Sequence, residues 1–255
     1  MNNHWSEYWK QGYITSFGDA FKSNYQGEIK VVWQKFSLSL DKHSKVLDVG
    51  TGNGAVIELI HAVSQHECVG IDLAKINGEV TKFINGRFIS NVSVEEMPFK
   101  DAEFDTVISQ FALEYSDVDL SLNEIHRVLK SKGILHLVCH HANSIIVEPN
   151  RQILEAGLKV KAHMLGYLKN LVNALINNKP TGLYKEKIES FISSFQVLEK
   201  ASLESTNFPA FYQFITENKS IDFEQAYKLF ESELELLLLR LNELKQAAEN
   251  TEKLL

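Results

Sequence analysis

Two aspartates and a run of glycines have the spacing that is most informative about chemistry in this 255-residue chain. The apolar run Val46–Val49 contains Asp48, and Gly50, Gly52 and Gly54 follow it at alternate positions. The pattern predicts a buried strand, a tight glycine turn and the start of a helix. Because such a turn has few side chains, a ligand can approach the backbone N–H groups at the helix N-terminus.

The two carboxylates are placed at the ends of predicted strands. Asp48 lies at the carboxyl end of the first strand, where open α/β sheets bind ligands, although it could instead cap local amides. Asp72 ends the next apolar run, 20 residues after Gly52. At that distance an acidic side chain can accept both hydroxyls of a ribose. The alternative for Asp72 is an N-cap for the segment after Leu73.

The glycine spacing alone leaves two kinds of ligand open. Gly50-x-Gly52-x-Gly54 is one pattern, and Gly50-x-Gly52-x-x-Ala55 also fits the dinucleotide fingerprint. A pyrophosphate-binding strand usually carries an apolar residue where this chain has Asp48. A carboxylate at that position favours a cationic or zwitterionic ligand.

The segment VLDVGTGNG, from Val46 to Gly54, resembles class I S-adenosylmethionine-dependent methyltransferases of the small-molecule group, whose pattern is VLDxGxGxG. The resemblance extends from about Val46 to Val138. It implies an α/β fold with a Rossmann-like sheet of seven strands. It also implies an S-adenosylmethionine site across the ends of strands one to four.

Three further segments match this family in order. Ser93–Phe99 resembles D-A-E-x-L-P-F, with Ser93 in place of the aspartate that usually receives the adenine amino group. Gln110 and Phe111 end a fourth strand, near the methionine part and the methyl group. Glu124–Gly133 resembles E-x-x-R-V-L-K-P-G-G. The candidate cofactor-binding residues are therefore Asp48, Gly50, Thr51, Gly52, Asn53, Gly54, Asp72, Leu73, Ser93, Val94, Glu95, Gln110 and Phe111.

The predicted organisation has three parts. Residues 1–40 form an N-terminal helical lid, residues 41–145 the S-adenosylmethionine-binding core, and residues 146–255 a mainly helical cap with one further strand near 195–203. The aromatic residues of the lid lie at helix-like spacings, which also suits helices that simply pack on the sheet. The lid residues expected on the acceptor side are Trp9, Phe17 and Tyr25, and Phe21 belongs to the same spacing.

The second half of the chain carries less chemical information. His140 and His141 follow the fifth strand, predicted over 133–140, and are candidates for a general base. Adjacent strand residues face opposite ways, so they make a poor chelating pair, and a structural role is an alternative. Residues 150–178 are predicted as one long helix, and 185–193 as a short one. Residues 222–250 carry a leucine-rich seam that packs on the long helix or, alternatively, forms a homodimer.

The composition excludes several classes of protein. A net charge of −7 does not favour nonspecific binding to nucleic acid. Cys68 and Cys139 lie in apolar runs and are expected as buried reduced thiols, and no spacing suggests a metal site. No apolar run is long enough for a membrane span, and the N-terminus lacks a signal-peptide core, so a cytoplasmic protein is expected.

The sequence therefore predicts transfer of a methyl group from S-adenosylmethionine to O, N or C of a small-molecule acceptor. Three alternatives remain open at this point. They are a nicotinamide-dependent oxidoreductase, a catalytically weak binding subunit that associates through the leucine-rich helix, and a methyltransferase acting on a peptide or protein.

Overall fold

The computed structural model describes residues 4–18, 23–218 and 221–254 of the chain. It divides the chain into two compact units. The first unit comprises residues 1–139 with 253–255, and the second comprises residues 140–252.

The first unit is built on a parallel sheet of five strands in the order β3-β2-β1-β4-β5. The strands are β1 (Lys45–Val49), β2 (Glu67–Asp72), β3 (Arg87–Ser90), β4 (Phe104–Gln110) and β5 (Leu129–Val138). Its helices are α1 (His4–Lys10), α2 (Gly27–Ser39), α3 (Ala55–His61), α4 (Gly78–Thr81) and α5 (Val118–Val128). This is the α/β arrangement with a Rossmann-like strand order that the sequence predicted. The fifth strand was predicted over 133–140. It begins four residues earlier, at Leu129, and ends two residues earlier, at Val138.

Strand β1 lies at the centre of the sheet and fixes the position of Asp48. It pairs with β2 on one side and with β4 on the other. Val46 packs in a cluster with α2 and α3, whereas Leu47 packs in a cluster with α5 on the opposite face. Because successive side chains of a strand point to opposite faces, Asp48 faces the same way as Val46.

The N-terminal aromatic residues do not form a continuous pair of helices, so the helix predicted from the spacing of Phe17 and Tyr25 is wrong. Both residues lie in irregular backbone between α1 and α2, and Phe21 lies outside the described residues. The neighbouring Asn24 explains the irregular path. Its amide group donates to the backbone oxygen of Ala55 and to the side chain of Glu58, while its oxygen accepts the amide of Tyr25.

The predicted strand near 195–203 is also wrong, because these residues form a helix. The carboxylate of Glu199 accepts the backbone N–H of Gln196 at 3.0 Å, which caps the start of the helix that begins at Val197. Val197 is 83% exposed, whereas Phe195, just before the helix, is buried. The described residues form five strands, where the family resemblance implied seven.

The second unit is helical. It contains α6 (Val147–His163), α7 (Leu165–Ile176), α8 (Gly182–Ser194), α9 (Val197–Glu204), α10 (Phe208–Glu217) and most of α11 (Phe223–Leu254). The single helix predicted over 150–178 is two helices, and the break lies at Met164, two residues before Gly166. Met164, with φ −113° and ψ −25°, departs from regular helical geometry between the two helices. The helix predicted over 185–193 corresponds to α8.

The leucine-rich seam of α11 packs within the second unit. Tyr227, Phe230 and Leu234 share a buried cluster with Leu154 of α6 and Leu168 of α7. This confirms the predicted packing against the preceding helices, and it covers the apolar face that a homodimer would need. In the described part of the chain, no helix is both long and apolar enough to cross a membrane.

One close approach in this unit can be tested. A Cβ atom added at Gly157 of α6 would lie 2.7 Å from a methyl group of Leu238 of α11, whereas a Cβ at Gly166 would meet nothing within 4 Å. We expect Gly166→Ala to raise the free energy of unfolding by up to about 1 kcal/mol, because alanine favours the helix. Gly157→Ala brings the same change in propensity, but crowding with Leu238 should leave it at least about 1 kcal/mol less stable than Gly166→Ala.

Urea unfolding of the two variants beside the wild type measures the difference. Equal effects of the two substitutions would contradict the close packing of α6 on α11.

Candidate functional site

The glycine turn after β1 is tight and has close neighbours on both sides. The φ angles of Gly50, Gly52 and Gly54 are +70°, +52° and +86°, in the region that favours glycine. The N–H groups of Gly50 and Thr51 both donate to the backbone oxygen of Ile71 at 2.9 Å. A Cβ at Gly50 would lie 2.1 Å from the Cβ of Ala112, in the loop after β4. The turn therefore accepts no side chain at its first position.

Asp48 lies beneath this turn as a buried carboxylate. It is 1% exposed, and the hydroxyl of Thr51 donates to its Oδ2 at 2.7 Å. Burial raises the pKa of Asp48 to about 7; the Thr51 hydrogen bond opposes this shift and the nearby charge of Asp72 adds to it. The ionised form is therefore held at a cost that a bound cation would reduce.

Asp72 lies at the end of β2, directly beside the turn. Its Oδ2 accepts the N–H of Gly52 at 2.8 Å, and its Oδ1 accepts the N–H of Ala74 at 2.7 Å. Burial raises the pKa of Asp72, and the two amide donors oppose this shift. Each carboxylate oxygen has a second acceptor position, so this local capping still allows the carboxylate to accept further donors. The following residue, Leu73, is 61% exposed.

The side chain of Asn53 binds other segments of the protein. It is fully buried, and its amide group donates to the backbone oxygens of Trp9 at 3.0 Å and of Tyr13 at 2.7 Å. Its oxygen accepts the N–H of Asn77 at 2.9 Å. All of its hydrogen-bonding groups therefore hold protein segments together, which leaves its backbone as the part that could meet a ligand.

Gln110, at the end of β4, belongs to a buried hydrogen-bonded chain. Its Oε1 accepts the indole N–H of Trp33, and its side chain also bonds to the hydroxyl of Tyr25. That hydroxyl further bonds to the backbone N–H of Ser16 at 3.2 Å and to its Oγ at 3.1 Å. Burial raises the pKa of Tyr25, and the hydrogen bonds oppose this shift. These hydrogen bonds fix the orientation of the Gln110 carboxamide.

Phe111 follows Gln110 with a strained backbone. Its φ angle is +54°, which is rare for a bulky residue, and its N–H donates to the oxygen of Val138 in β5 at 2.8 Å. Its ring meets the ring of Phe17 edge to face at 6.0 Å, and Phe17 meets Tyr25 in the same way at 6.0 Å. Strain at a strand end beside a ligand-binding turn is typical of a functional position.

The loop after β3 uses its polar groups on the protein. The hydroxyl of Ser93 is hydrogen-bonded to the carboxylate of Glu95, whose other oxygen accepts the N–H of Asp117 at 3.0 Å. Val94 packs on the same apolar cluster as Leu47. Glu95 is thus the charged acceptor of this loop. It lies two residues after Ser93, which replaces the family aspartate.

The two histidines lie beyond β5, at the start of the second unit. His140 is 8% exposed, whereas His141 is exposed and its Nδ1 accepts the N–H of Asn143 at 3.1 Å. The neighbouring Cys139 is only partly buried, in contrast to the predicted buried thiol, while Cys68 is buried and both are free. Among the described residues, no group of three His, Cys, Asp or Glu side chains is placed to hold a metal ion.

Sequence reasoning missed Trp33 as a site-supporting residue. Trp33 is fully buried, and its indole N–H donates to Gln110, which lies 77 positions later in the sequence. Sequence reasoning also missed Glu114, which is fully buried after β4 and interacts with the thiol of Cys139. Burial raises the pKa of that thiol to about 12, and Glu114 adds to the shift. A carboxylate in an otherwise apolar stretch was the available signal for Glu114.

Comparison with known proteins gives a consistent identification of the sheet region. The model of the family described as "Methyltransferase domain" matches residues 47–137. An uncharacterized methyltransferase of Bacillus subtilis, YcgJ, is 35% identical over 105 residues, which cover 38% of this chain and 41% of YcgJ. The match to the crystal structure of YcgJ covers 50% of this chain and 59% of the YcgJ chain, with 26% identity and a TM-score of 0.41.

Two further relatives extend the comparison. The uncharacterized protein MJ1252 of Methanocaldococcus jannaschii is 27% identical over 174 residues, covering 67% of this chain and 64% of MJ1252. A demethylmenaquinone methyltransferase of Staphylococcus carnosus is 34% identical over 113 residues, covering 40% of this chain and 47% of the relative. The chain thus spans less than two thirds of the length of each of these curated relatives. The segment 47–137, which carries the glycine turn, the two strand-end carboxylates and the five-stranded parallel sheet, therefore matches the methyltransferase domain family.

Proposed function

We propose that this protein binds S-adenosylmethionine at the glycine turn and transfers its methyl group to O, N or C of a small-molecule acceptor. One observation carries the proposal: two carboxylates, the buried Asp48 and the half-buried Asp72, flank a turn that has no side chain at its glycine positions. A ligand with a positive charge and a ribose complements both.

The residues at the turn suit the cofactor in separate ways. The ionised form of Asp48 is disfavoured by burial, so a cationic group beside it would be strongly attracted. Asp72 keeps free acceptor positions for ribose hydroxyls. Glu95, with the exposed Leu73, would serve the adenine side in place of the family aspartate. A pyrophosphate would be repelled by the carboxylate below the turn, which argues against the nicotinamide alternative.

The chain contributes positioning more than acid–base chemistry. Bound S-adenosylmethionine supplies an activated methyl group on a sulfonium. Trp33 and Tyr25 hold the carboxamide of Gln110 in one orientation, so that it can bind the methionine part without reorganising. Positioning of this kind can account for about 7–11 kcal/mol of a barrier. His140 and His141 remain candidates for a general base if the acceptor must lose a proton.

An acceptor with a flat, apolar ring suits the aromatic side of the site. Phe17, Tyr25 and Phe111 form edge-to-face pairs next to Gln110. Aromatic side chains bind rings well and exclude water. The relative from Staphylococcus carnosus is named for demethylmenaquinone, a quinone, which supports the same class of acceptor. Trp9 remains part of the proposed lid.

The assignment of Asp72 can be tested by calorimetry with S-adenosylhomocysteine. We expect Asp72→Ala to weaken binding by about 10- to 100-fold, because it removes charge-assisted hydrogen bonds to the ribose. Asp222→Ala is a matched control, since Asp222 also caps a local N–H, that of Gln225 at the start of α11. The control should bind like the wild type. Unchanged affinity of Asp72→Ala, or tighter binding of NADH than of S-adenosylhomocysteine by the wild type, would contradict the assignment.

The assignment of Asp48 predicts opposite effects on stability and binding. Its pKa of about 7 in the folded protein lies above the unfolded value, so folding favours the protonated form. The free energy of unfolding should therefore fall as pH rises from about 4 to about 7, and change no further through this group above that. Asp48→Asn removes the fall, and should be about 1–4 kcal/mol more stable than the wild type at pH 8.

The same substitution should weaken binding of S-adenosylhomocysteine, because its cationic group loses a charged partner. Asp41→Asn, which changes an exposed carboxylate before β1, should alter neither property. Urea unfolding at pH 5 and pH 8 measures the stability. A variant Asp48→Asn that is less stable than the wild type at pH 8 would show that the carboxylate is a structural cap.

A further inference from the structure

Residues 4–18, here called the N-terminal strap, are tied to the glycine turn and to the loop after β2. Asn53 in the turn holds the backbone oxygens of Trp9 and Tyr13. Asn77 donates to the oxygens of Trp9 at 3.4 Å and of Lys10 at 3.3 Å. The hydroxyl of Ser6 accepts the N–H of Lys75 at 2.9 Å. The strap is thus attached at its backbone, largely through two asparagines.

The ring of Trp9 lies directly on Gly52. The position of a Cβ at Gly52 is 2.5–2.9 Å from three atoms of the indole ring, and Trp9 is 8% exposed. In nucleotide-binding turns of this kind, the second glycine is bare so that the ligand can approach the backbone. The Trp9 ring occupies that approach.

The strap is also held together by its own contacts. The hydroxyl of Tyr8 donates to the oxygen of Thr15 at 2.8 Å and accepts the N–H of Gly18 at 2.6 Å. The rings of Trp5 and Trp9 stack at 5.9 Å, and Tyr8 meets Trp9 edge to face at 5.0 Å. A segment with internal contacts of this kind can leave the turn as one body, without losing its own structure.

We propose that Trp9 is an internal plug of the cofactor site, and that Asn53 is the latch that seats it. This inference rests on the cofactor site proposed above. The strap exchanges between a seated position, with Trp9 on Gly52, and a displaced position that opens the turn to S-adenosylmethionine. The apparent affinity for the cofactor is then the intrinsic affinity reduced by the fraction of molecules in the displaced position.

Two variants test the plug from opposite directions. In Trp9→Ala the turn is uncovered, so S-adenosylhomocysteine should bind at least about fivefold more tightly and associate faster than with the wild type. In Ser6→Cys/Lys75→Cys a disulfide can lock the strap in its seated position. The hydrogen bond between residues 6 and 75 keeps their Cα atoms within about 7 Å, the upper limit for a disulfide.

The oxidised double variant should bind S-adenosylhomocysteine at least about tenfold more weakly than the same protein after reduction. The reduced protein is its own control, and the wild type treated with the same oxidant controls for Cys68 and Cys139. Calorimetry gives the affinities, and stopped-flow tryptophan fluorescence gives the association rates.

The outcomes separate the plug from the cofactor site itself. Equal or weaker binding by Trp9→Ala, or equal binding by the oxidised and reduced double variant, would overturn the plug and leave the proposed function standing. Failure of the wild type, Trp9→Ala and the reduced double variant to bind S-adenosylhomocysteine at all would overturn the proposed function, and the plug with it.

Discussion

The rest of the structure depends on two carboxylates placed at one turn, of which Asp48 is buried and Asp72 is half-buried. Asp48 and Asp72 lie at the ends of adjacent parallel strands, close enough for the charge of one to raise the pKa of the other. The fold compensates with neutral donors: the hydroxyl of Thr51 for Asp48, and the N–H groups of Gly52 and Ala74 for Asp72. Neutral donors compensate a buried carboxylate only in part, so the turn retains an attraction for a positive charge.

The neighbouring elements hold the residues around this turn in place. Trp33 of α2 orients Gln110, which lies on β4, on the opposite side of β1 from Asp72. The polar side chains at the ends of β1, β2 and β4 are therefore each hydrogen-bonded to other groups of the first unit. Phe111 has a positive φ directly after the end of β4. Its ring contacts that of Phe17, which in turn contacts the ring of Tyr25. Rigid support of this kind is what a positioning mechanism requires.

The sheet and its carboxylates could be predicted because short stretches of sequence determine them. An apolar run that ends in glycines, with an acid 20 residues later, needs no knowledge of distant contacts. Contacts between distant residues could not be predicted in this way. The partner of Gln110 lies 77 positions away, and the side chain of Asn53 serves backbone atoms 40 and 44 positions away. The helix at Val197 was mistaken for a strand because four apolar-rich residues are too few to distinguish the two.

Asp48 is a buried carboxylate that we propose as the partner of the cofactor's ammonium group, and proton release on binding tests this proposal most directly. Calorimetric titration of the wild type with S-adenosylhomocysteine at pH 7, in two buffers of different ionisation enthalpy, measures the protons exchanged. With a pKa of about 7, Asp48 should be about half protonated and should release a fraction of a proton as the ammonium group of the zwitterionic ligand binds. Asp48→Asn should lose that release. Binding by the wild type with no proton release would contradict the account.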